Sequence, residues 1–365
     1  MTAGGEKSLT YSSTGVNPEA ASAGLKGLLR WVNETLAFRE GQGEPLLPNG
    51  FFANAVRLRG DLSLVVSTDG VGSKAMVAQA VGSYEAIGWD CVAVNVNDVI
   101  CTGAEPITLV DYISVEEPAA DLLEALGHGL RDGALRAGVA IVGGELSQHP
   151  DSLTGPRPGY AFDISGTAMG ILDGRGPITG SSITPGDVII GMPSNGVHSN
   201  GLTLARQALS TDQEGVNRHL RECGKTAGEE LLRPTHIYVP EVMALLKAGV
   251  PVKGLAHISG DGLLNLSRLN APVGYVITDM LDVPPIFSVI QRDGNVETAE
   301  MYTVFNMGVG FCVVVSSDQV DAALAAIRGT GGVAQPIGHA VSDPERRVTV
   351  QQHGLVGSGG KFTRA

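Results

Sequence analysis

Positive charge is scarce in this chain: 25 Lys and Arg stand against 38 Asp and Glu, a formal net charge of −13. That deficit argues against a general nucleic-acid surface. A phosphorylated ligand would need local N–H groups, a few lysines or a metal to offset the repulsion. Cysteine is sparse as well. Cys91, Cys101, Cys223 and Cys312 form no Cys-x-x-Cys pair and no zinc spacing. Their mostly apolar surroundings predict buried free thiols in a reducing compartment. No apolar run approaches the ~18 residues of a membrane helix, and the first residues have no leader-like hydrophobic stretch. The expectation is a soluble, cytoplasmic protein. Also missing are a Walker A loop, a Gly-X-Y period and any short repeat.

Glycine, by contrast, is abundant at 50 of 365 residues, with 43% hydrophobic and 17% charged residues. This is a compact globular composition, and the length predicts roughly two domains at ~150 residues each. Four near-apolar strands run into polar turns. Leu62–Val66 leads into Ser67-Thr68-Asp69-Gly70, and Ala140–Val142 into Gly143-Gly144-Glu145. Val188–Met192 enters the turn 194–201, and Leu255–Ile258 enters Ser259-Gly260-Asp261-Gly262. Small residues let backbone N–H groups approach phosphate, and carboxylates hold Mg²⁺. Several such turns in one chain point to a composite nucleotide-phosphate site.

Patterning places helices over Pro18–Leu36, capped by Asn17, and over Ser83–Thr102. Pro118 opens a third, with the stripe Leu123, Leu126, Leu130, Ala134 and Ala137, ended by Gly138. Residues 1–15 read as a mobile arm, and 37–54 as a loop. The Gly/Pro-rich stretch 173–185 is the best boundary, dividing a first domain (1–172) from a second (173–365). Neighbouring strands interrupt the helix–strand alternation, which favours two layered α+β domains over one doubly wound sheet.

Each candidate site residue has a bland alternative. Asp69 could hold Mg²⁺ and Lys74 meet a phosphate, or the turn is simply Gly-rich with Lys74 solvated. Asn97 and Asp98 lie in an apolar helix. A buried carboxylate there needs a partner or a metal, unless it sits on the helix surface. His198 could donate a hydrogen bond or shuttle a proton beside a helix N-terminus capped by Ser199 or Asn200, or be structural. His257, before Gly260 and Asp261, marks either a second anion-binding turn or a buried, satisfied histidine. Asn306 reads better as part of a strand-entry turn than as a ligand contact.

Taken together, Tyr11-x-x-x-Gly15-Val16-Asn17, Ser67–Lys74, Val96-Asn97-Asp98-Val99, Asp111-Tyr112, Gly143-Gly144-Glu145, His198–Gly201, Ala256-His257-Ile258 and Phe305–Gly308 resemble the phosphoribosylformylglycinamidine cyclo-ligase (aminoimidazole ribonucleotide synthetase) family. The resemblance implies two α+β domains and a homodimer whose N-terminal strands build a shared barrel. It implies ATP and Mg²⁺, and ring closure through phosphorylation of the substrate's formyl amide oxygen. By the same resemblance Asp69, Asp98 and Glu145 would serve ATP–Mg²⁺, with Lys74, Asn97, Gly143 and Gly144 around the nucleotide. Ser67, Ser199, Asn200 and Gly260 would meet the ribonucleotide, and His198, His257 and Asp69 the chemistry. Four segments depart from the family's usual pattern: Leu146–Asp151, where Gln148 stands near a missing acid, Phe51-Phe52, Ala20-Ala21-Ser22, and Asp261 between glycines. Asp261 adds negative charge beside a phosphate site unless it caps the next helix. Alternatives on the same fold are a kinase like thiamine monophosphate kinase, or an inactive nucleotide-binding paralogue.

Overall fold

A computed structural model describes residues 8–211 and 214–365. Helix α1 (Pro18–Glu34) starts where Asn17 accepts the Ala20 N–H and Pro18 needs no donor. Of the expected N-terminal arm, residues 1–7 lie outside the described residues. Ser8–Thr14 is tied to the second half: Leu9 N–H donates to Gly294 O (3.1 Å) and Tyr11 N–H to Glu300 (2.6 Å).

The first half is a five-stranded sheet with helices on one face. Its elements are β1 (Asn54–Arg59), β2 (Leu62–Gly70), α2 (Lys74–Val81), α3 (Glu85–Ile100), β3 (Glu105–Val115), α4 (Ala120–Ala137), β4 (Ala140–Gln148) and β5 (Phe162–Leu172). The order is β1-β2-β5-β3-β4, antiparallel except for β3 beside β4. Strand alternation explains the burial of Val65, Ser67, Leu109, Ile164 and Ala168 beneath α3, while Val66, Val110 and Met169 face the other way. Helices α3 and α4 cross unusually closely. A Cβ on Gly129 would fall 1.8 Å from Glu85 O, and one on Gly88 2.1 Å from Leu126 O.

The second half contributes β6 (Val188–Pro193), α5 (Leu202–Ala208), the short pair β7 (His219–Leu220) and β8 (Lys225–Thr226), α6 (Ala227–Leu231), α7 (Val239–Lys247), β9 (Gly254–His257), β10 (Val273–Ile277), α8 (Pro285–Asp293), α9 (Thr298–Val304), β11 (Val309–Val315), α10 (Val320–Gly329), β12 (Gln335–Ser342), β13 (Val348–Val350), β14 (Leu355–Ser358) and β15 (Lys361–Arg364). Eight strands form one mixed sheet, ordered β15-β14-β13-β10-β12-β6-β11-β9. Strand β11 is buried along its whole length, which is why Val309–Val315 shows no alternation.

Three local features matter for the site. Lys74–Val81 is a helix, not the tail of a turn, and Gly262–Arg268 is a 3-10 segment. Helix α3 is buried nearly all round rather than on one face, because it lies between the two halves.

Candidate functional site

The two halves meet around α3, and the polar residues of that helix face the second half. Trp89 Nε1–H donates to Thr235 O (2.7 Å). Asn97 Nδ2 donates to His236 O (2.8 Å), and its Oδ1 accepts the Tyr238 N–H (3.0 Å). Asp98 lies 2.8 Å from His257 Nδ1 at the end of β9. Residues expected at the site thus lie where the two halves meet, with Asp98 of α3 against His257 at the end of β9.

Asp69 stands at the end of β2, its backbone carbonyl taking a hydrogen bond from Asn95. Burial, then the neighbouring Asp98 carboxylate, push its pKa above the usual aspartate value; the Gly70 N–H, His257 and Arg268 oppose the shift. The two carboxylates repel each other. The register of the sheet adds a third acid that sequence reasoning left out of the site. Asp69 and Asp111 both pair with Gly166, and a Cβ on Gly166 would meet Asn95 and Cys91 of α3. Asp111 thus shares the α3-facing side of the sheet with Asp69, and burial raises its pKa too. The available signal was Asp111-Tyr112 among the motifs that carry the family resemblance.

Glu145 does not join them. It pairs with Tyr112, one residue out of phase with Asp111–Gly144, so alternation turns it to the opposite, exposed face. Gly143 and Gly144 lie within β4, and the Asp111 carboxylate occupies the space a Cβ on Gly144 would need (2.5 Å). Among the described residues, no three His, Cys, Asp or Glu side chains gather closely enough to hold a metal.

Lys74 is also elsewhere. It is fully buried, 2.5 Å from Asp90, and donates to Arg233 O (2.6 Å). Asp90 in turn accepts the Thr235 N–H (2.6 Å) and the Ser199 hydroxyl (3.0 Å). The lysine is a pin between the halves, neither solvated nor free for phosphate. The Ser199 hydroxyl is thus directed inward, to Asp90 and Thr235. Asn97 is likewise spent on the 236–238 backbone.

The turn 194–201 is held by Asn306, which accepts from Ser194 and Gly308 N–H and donates to Gly196 O and Val197 O. Its reading as a structural residue fits this bonding. The N-cap of α5 is Gly201, at φ +74°, not Ser199 or Asn200. A Cβ there would strike the Phe305 ring at 2.4 Å. His198 adopts φ +63° and is buried. Burial, then His257 and Lys74, drive its pKa well below the ordinary histidine value, so the ring is neutral. Its Nε2 accepts the Asn195 N–H (3.4 Å), which assigns the proton to Nδ1, an atom without a partner.

Asn200 lies beside Gly260, whose added Cβ would sit 3.2 Å from its Oδ1, so the turns 198–201 and 259–262 abut. Asp261 makes no cap. It pairs with Arg268 (3.0 Å), whose guanidinium lies 5.3 Å from the Phe52 ring centre. The departures at Asp261 and Phe52 thus belong to one local group in which Arg268 balances the added charge. Ser67 is buried under α3.

Comparison with known proteins agrees with this architecture. Residues 52–172 match the N-terminal domain of AIR synthase related proteins, and residues 184–351 match the C-terminal domain. The phosphoribosylformylglycinamidine cyclo-ligase of Thermococcus kodakarensis is 46% identical over 317 residues, 87% of this chain and 91% of that protein. The same-named protein of Pyrococcus horikoshii is 41% identical over 95% of this chain and 99% of its own length. Among solved structures, thiamine-monophosphate kinase from Stenotrophomonas maltophilia superposes with TM-score 0.57 at 22% identity, covering 87% of this chain and 94% of its own. T. maritima PurL complexed with ATP gives TM-score 0.54 at 19% identity, covering 84% of this chain and 45% of its own. At those identities the structures show a shared fold.

Proposed function

The chain belongs to the AIR synthase related family of phosphoribosylformylglycinamidine cyclo-ligases, and from that premise we propose how its residues divide the work. The reaction is the ATP-dependent closure of formylglycinamidine ribonucleotide to aminoimidazole ribonucleotide, a step of purine biosynthesis, with release of ADP and phosphate. Similarity to cyclo-ligases along almost the full length of both chains carries this conclusion and does not favour the kinase or inactive-paralogue readings.

An amide oxygen is a poor leaving group. Transfer of the γ-phosphoryl group to the formyl oxygen makes an iminophosphate, and attack by an amidine nitrogen closes the ring as phosphate departs. The protein's part is positioning and charge stabilisation.

Asp69 and Asp98 would hold Mg²⁺, whose preference for carboxylate and substrate phosphate oxygens suits this pair without Glu145. The ion would supply charge neutralisation at the transferring phosphoryl group. His257 orients Asp98 through Nδ1. The abutting turns 198–201 and 259–262 offer backbone N–H groups to the ribonucleotide phosphate. Neutral His198 serves as a fixed donor through Nδ1–H rather than as a cationic acid.

Two apolar surfaces remain uncovered in a single chain: the outer face of the five-stranded sheet, with Tyr112 at 44% exposure, and the α1 stripe Leu25, Leu28, Trp31 and Val32. Both fit burial against a second copy. The described residues include no helix long and apolar enough to cross a membrane.

Purified protein given Mg-ATP and formylglycinamidine ribonucleotide is expected to form aminoimidazole ribonucleotide with one ADP per ring closed. ATP turnover indifferent to that ribonucleotide would reject the assignment.

A further inference from the structure

A pocket of about 300 Å³ lies along α5 and the residues after it, lined by Thr203, Arg206, Gln207, Ser210 and Thr211. None of these residues has been given a role above. Thr203 ties the pocket to the turn 67–74, its hydroxyl donating to Ser73 Oγ (3.1 Å). Thr203 and Arg206 lie three apart and share a face of α5, and Ser210 follows the helix end at φ +50°. No carboxylate lines the pocket, in a chain where 38 acids stand against 25 Lys and Arg.

Arg206 is half-buried, and among the described residues its guanidinium has neither an acceptor nor an acid. Burial lowers its pKa, and no neighbouring carboxylate opposes the shift. The group stays charged all the same. Elsewhere Arg136, Arg233 and Arg268 each hold a carboxylate at 3.0 or 3.1 Å. The Thr211 hydroxyl is turned back to Arg206 O (3.3 Å), and Gln207 Nε2 spends one N–H on Thr14 O (3.2 Å). What remains is rich in donors: the guanidinium fork, the second Gln207 N–H and the Ser210 hydroxyl.

A partly desolvated cation among donors is a cost that an acceptor-rich anion removes. The planar fork matches two oxygens of a phosphate. We propose that this pocket is a phosphate site, in which Arg206 grips two oxygens of one phosphate group and Ser210 and Gln207 donate to the others. The group could arrive as free phosphate or as the phosphate of the ribonucleotide. Both sources rest on the cyclo-ligase reading; the binding itself does not.

Inorganic phosphate is titrated calorimetrically into the full-length protein at constant ionic strength, with no nucleotide or ribonucleotide present. A saturable binding event is expected, weakened about tenfold or more in Arg206→Met and partly restored in Arg206→Lys, which keeps the charge without the fork. Ser210→Asp, which sets a carboxylate in the pocket at a backbone conformation that Asp tolerates, should weaken it as well. Thermal melts establish that each variant is folded. No saturable binding by the wild type, or affinities in Arg206→Met and Ser210→Asp within about twofold of wild type, would overturn the site. Kinetics then separate the sources. A KM for the ribonucleotide raised about tenfold in Arg206→Met, with no matching rise in the KM for ATP, assigns the site to the ribonucleotide. Relief of inhibition by added phosphate without that rise assigns it to free phosphate. Neither change would overturn a part in the reaction. Phosphate binding through Arg206 in a protein that closes no ring would uphold the site and reject the cyclo-ligase reading.

Discussion

At the scale of single residues, the cleft sets stability against function. The folded-state pKa of Asp69 is raised, so the folded protein binds that proton more readily than the unfolded chain does. Its contribution to stability is then present at low pH and lost as pH rises through the raised value. At neutral pH the ionised Asp69 is a liability when no cation is bound. Asp69→Asn is therefore expected to raise the apparent Tm of the metal-free protein while lowering kcat about 100-fold or more, read by scanning calorimetry and by ADP release. His198 works the other way. Its depressed pKa means that the unfolded chain takes up the proton first, so stability falls as pH drops below about 6.5 toward the folded value. His198→Gln should flatten that acid limb in denaturant titrations from pH 7 to pH 5. Asp69, Asp98, His198 and His257 could be singled out from the sequence because each stands in or beside an apolar strand or helix, where a polar group needs a partner. The fate of Lys74 was not, since its partner Asp90 lies on another helix and reads as an ordinary helical acid. Asp90→Ala strands a buried ammonium and is expected to lower stability by about 3–5 kcal/mol in denaturant melts. The double variant Lys74→Met/Asp90→Leu should recover part of that loss.

At the scale of elements, α3 organises the molecule. It packs beneath one sheet and sends Trp89, Asp90, Asn97, Asp98 and Cys101 to the other half, with Cys101 Sγ accepting the His257 N–H (3.2 Å). Its close crossing with α4 depends on Gly88 and Gly129. Gly129→Ala would press a methyl group against a helix carbonyl and is expected to lower stability by about 3 kcal/mol, measured by urea unfolding. Because α3 carries Asp98, the same variant should lower ring-closure activity more than a surface change on α4 such as Leu135→Ala. Periodicity placed α4 correctly, since its apolar stripe recurs at helical spacing, whereas α3, buried nearly all round, was legible as a long apolar run. Patterning missed Lys74–Val81 because the Gly-rich turn before it masks a short helix, and it carries no record of the face Glu145 takes, because β4 continues through Gly143-Gly144-Glu145 with a bulge opposite Leu109 and Val110. One residue of register decides which face of a sheet an acid occupies, and composition does not record it.

For the whole molecule, the α+β class followed from adjacent strands that no crossover helix separates, and the two sheets bear it out. The order of the eight-stranded sheet, with β13–β15 extending one edge, depends on pairings between strands distant in sequence and left no local mark. The outer face of the five-stranded sheet makes the quaternary prediction. Val66→Glu is expected to shift a dimer to monomer in sedimentation equilibrium, with the far-ultraviolet spectrum retained. Finally, the route of the chain between its halves differs from what holds them together. The connection 173–185 looks like a hinge by its glycines and prolines, yet the halves are joined by Lys74 on Arg233 O, Asp90 on the Thr235 N–H, an asparagine bonded to two backbone groups and an aspartate–histidine contact. A single proteolytic nick in that connection should leave a particle of unchanged mass and shape in native solution, separating into two fragments only in denaturant. The covalent link between the halves is then dispensable once folding is complete, and the two segments, expressed as separate polypeptides, have the contacts needed to reassemble.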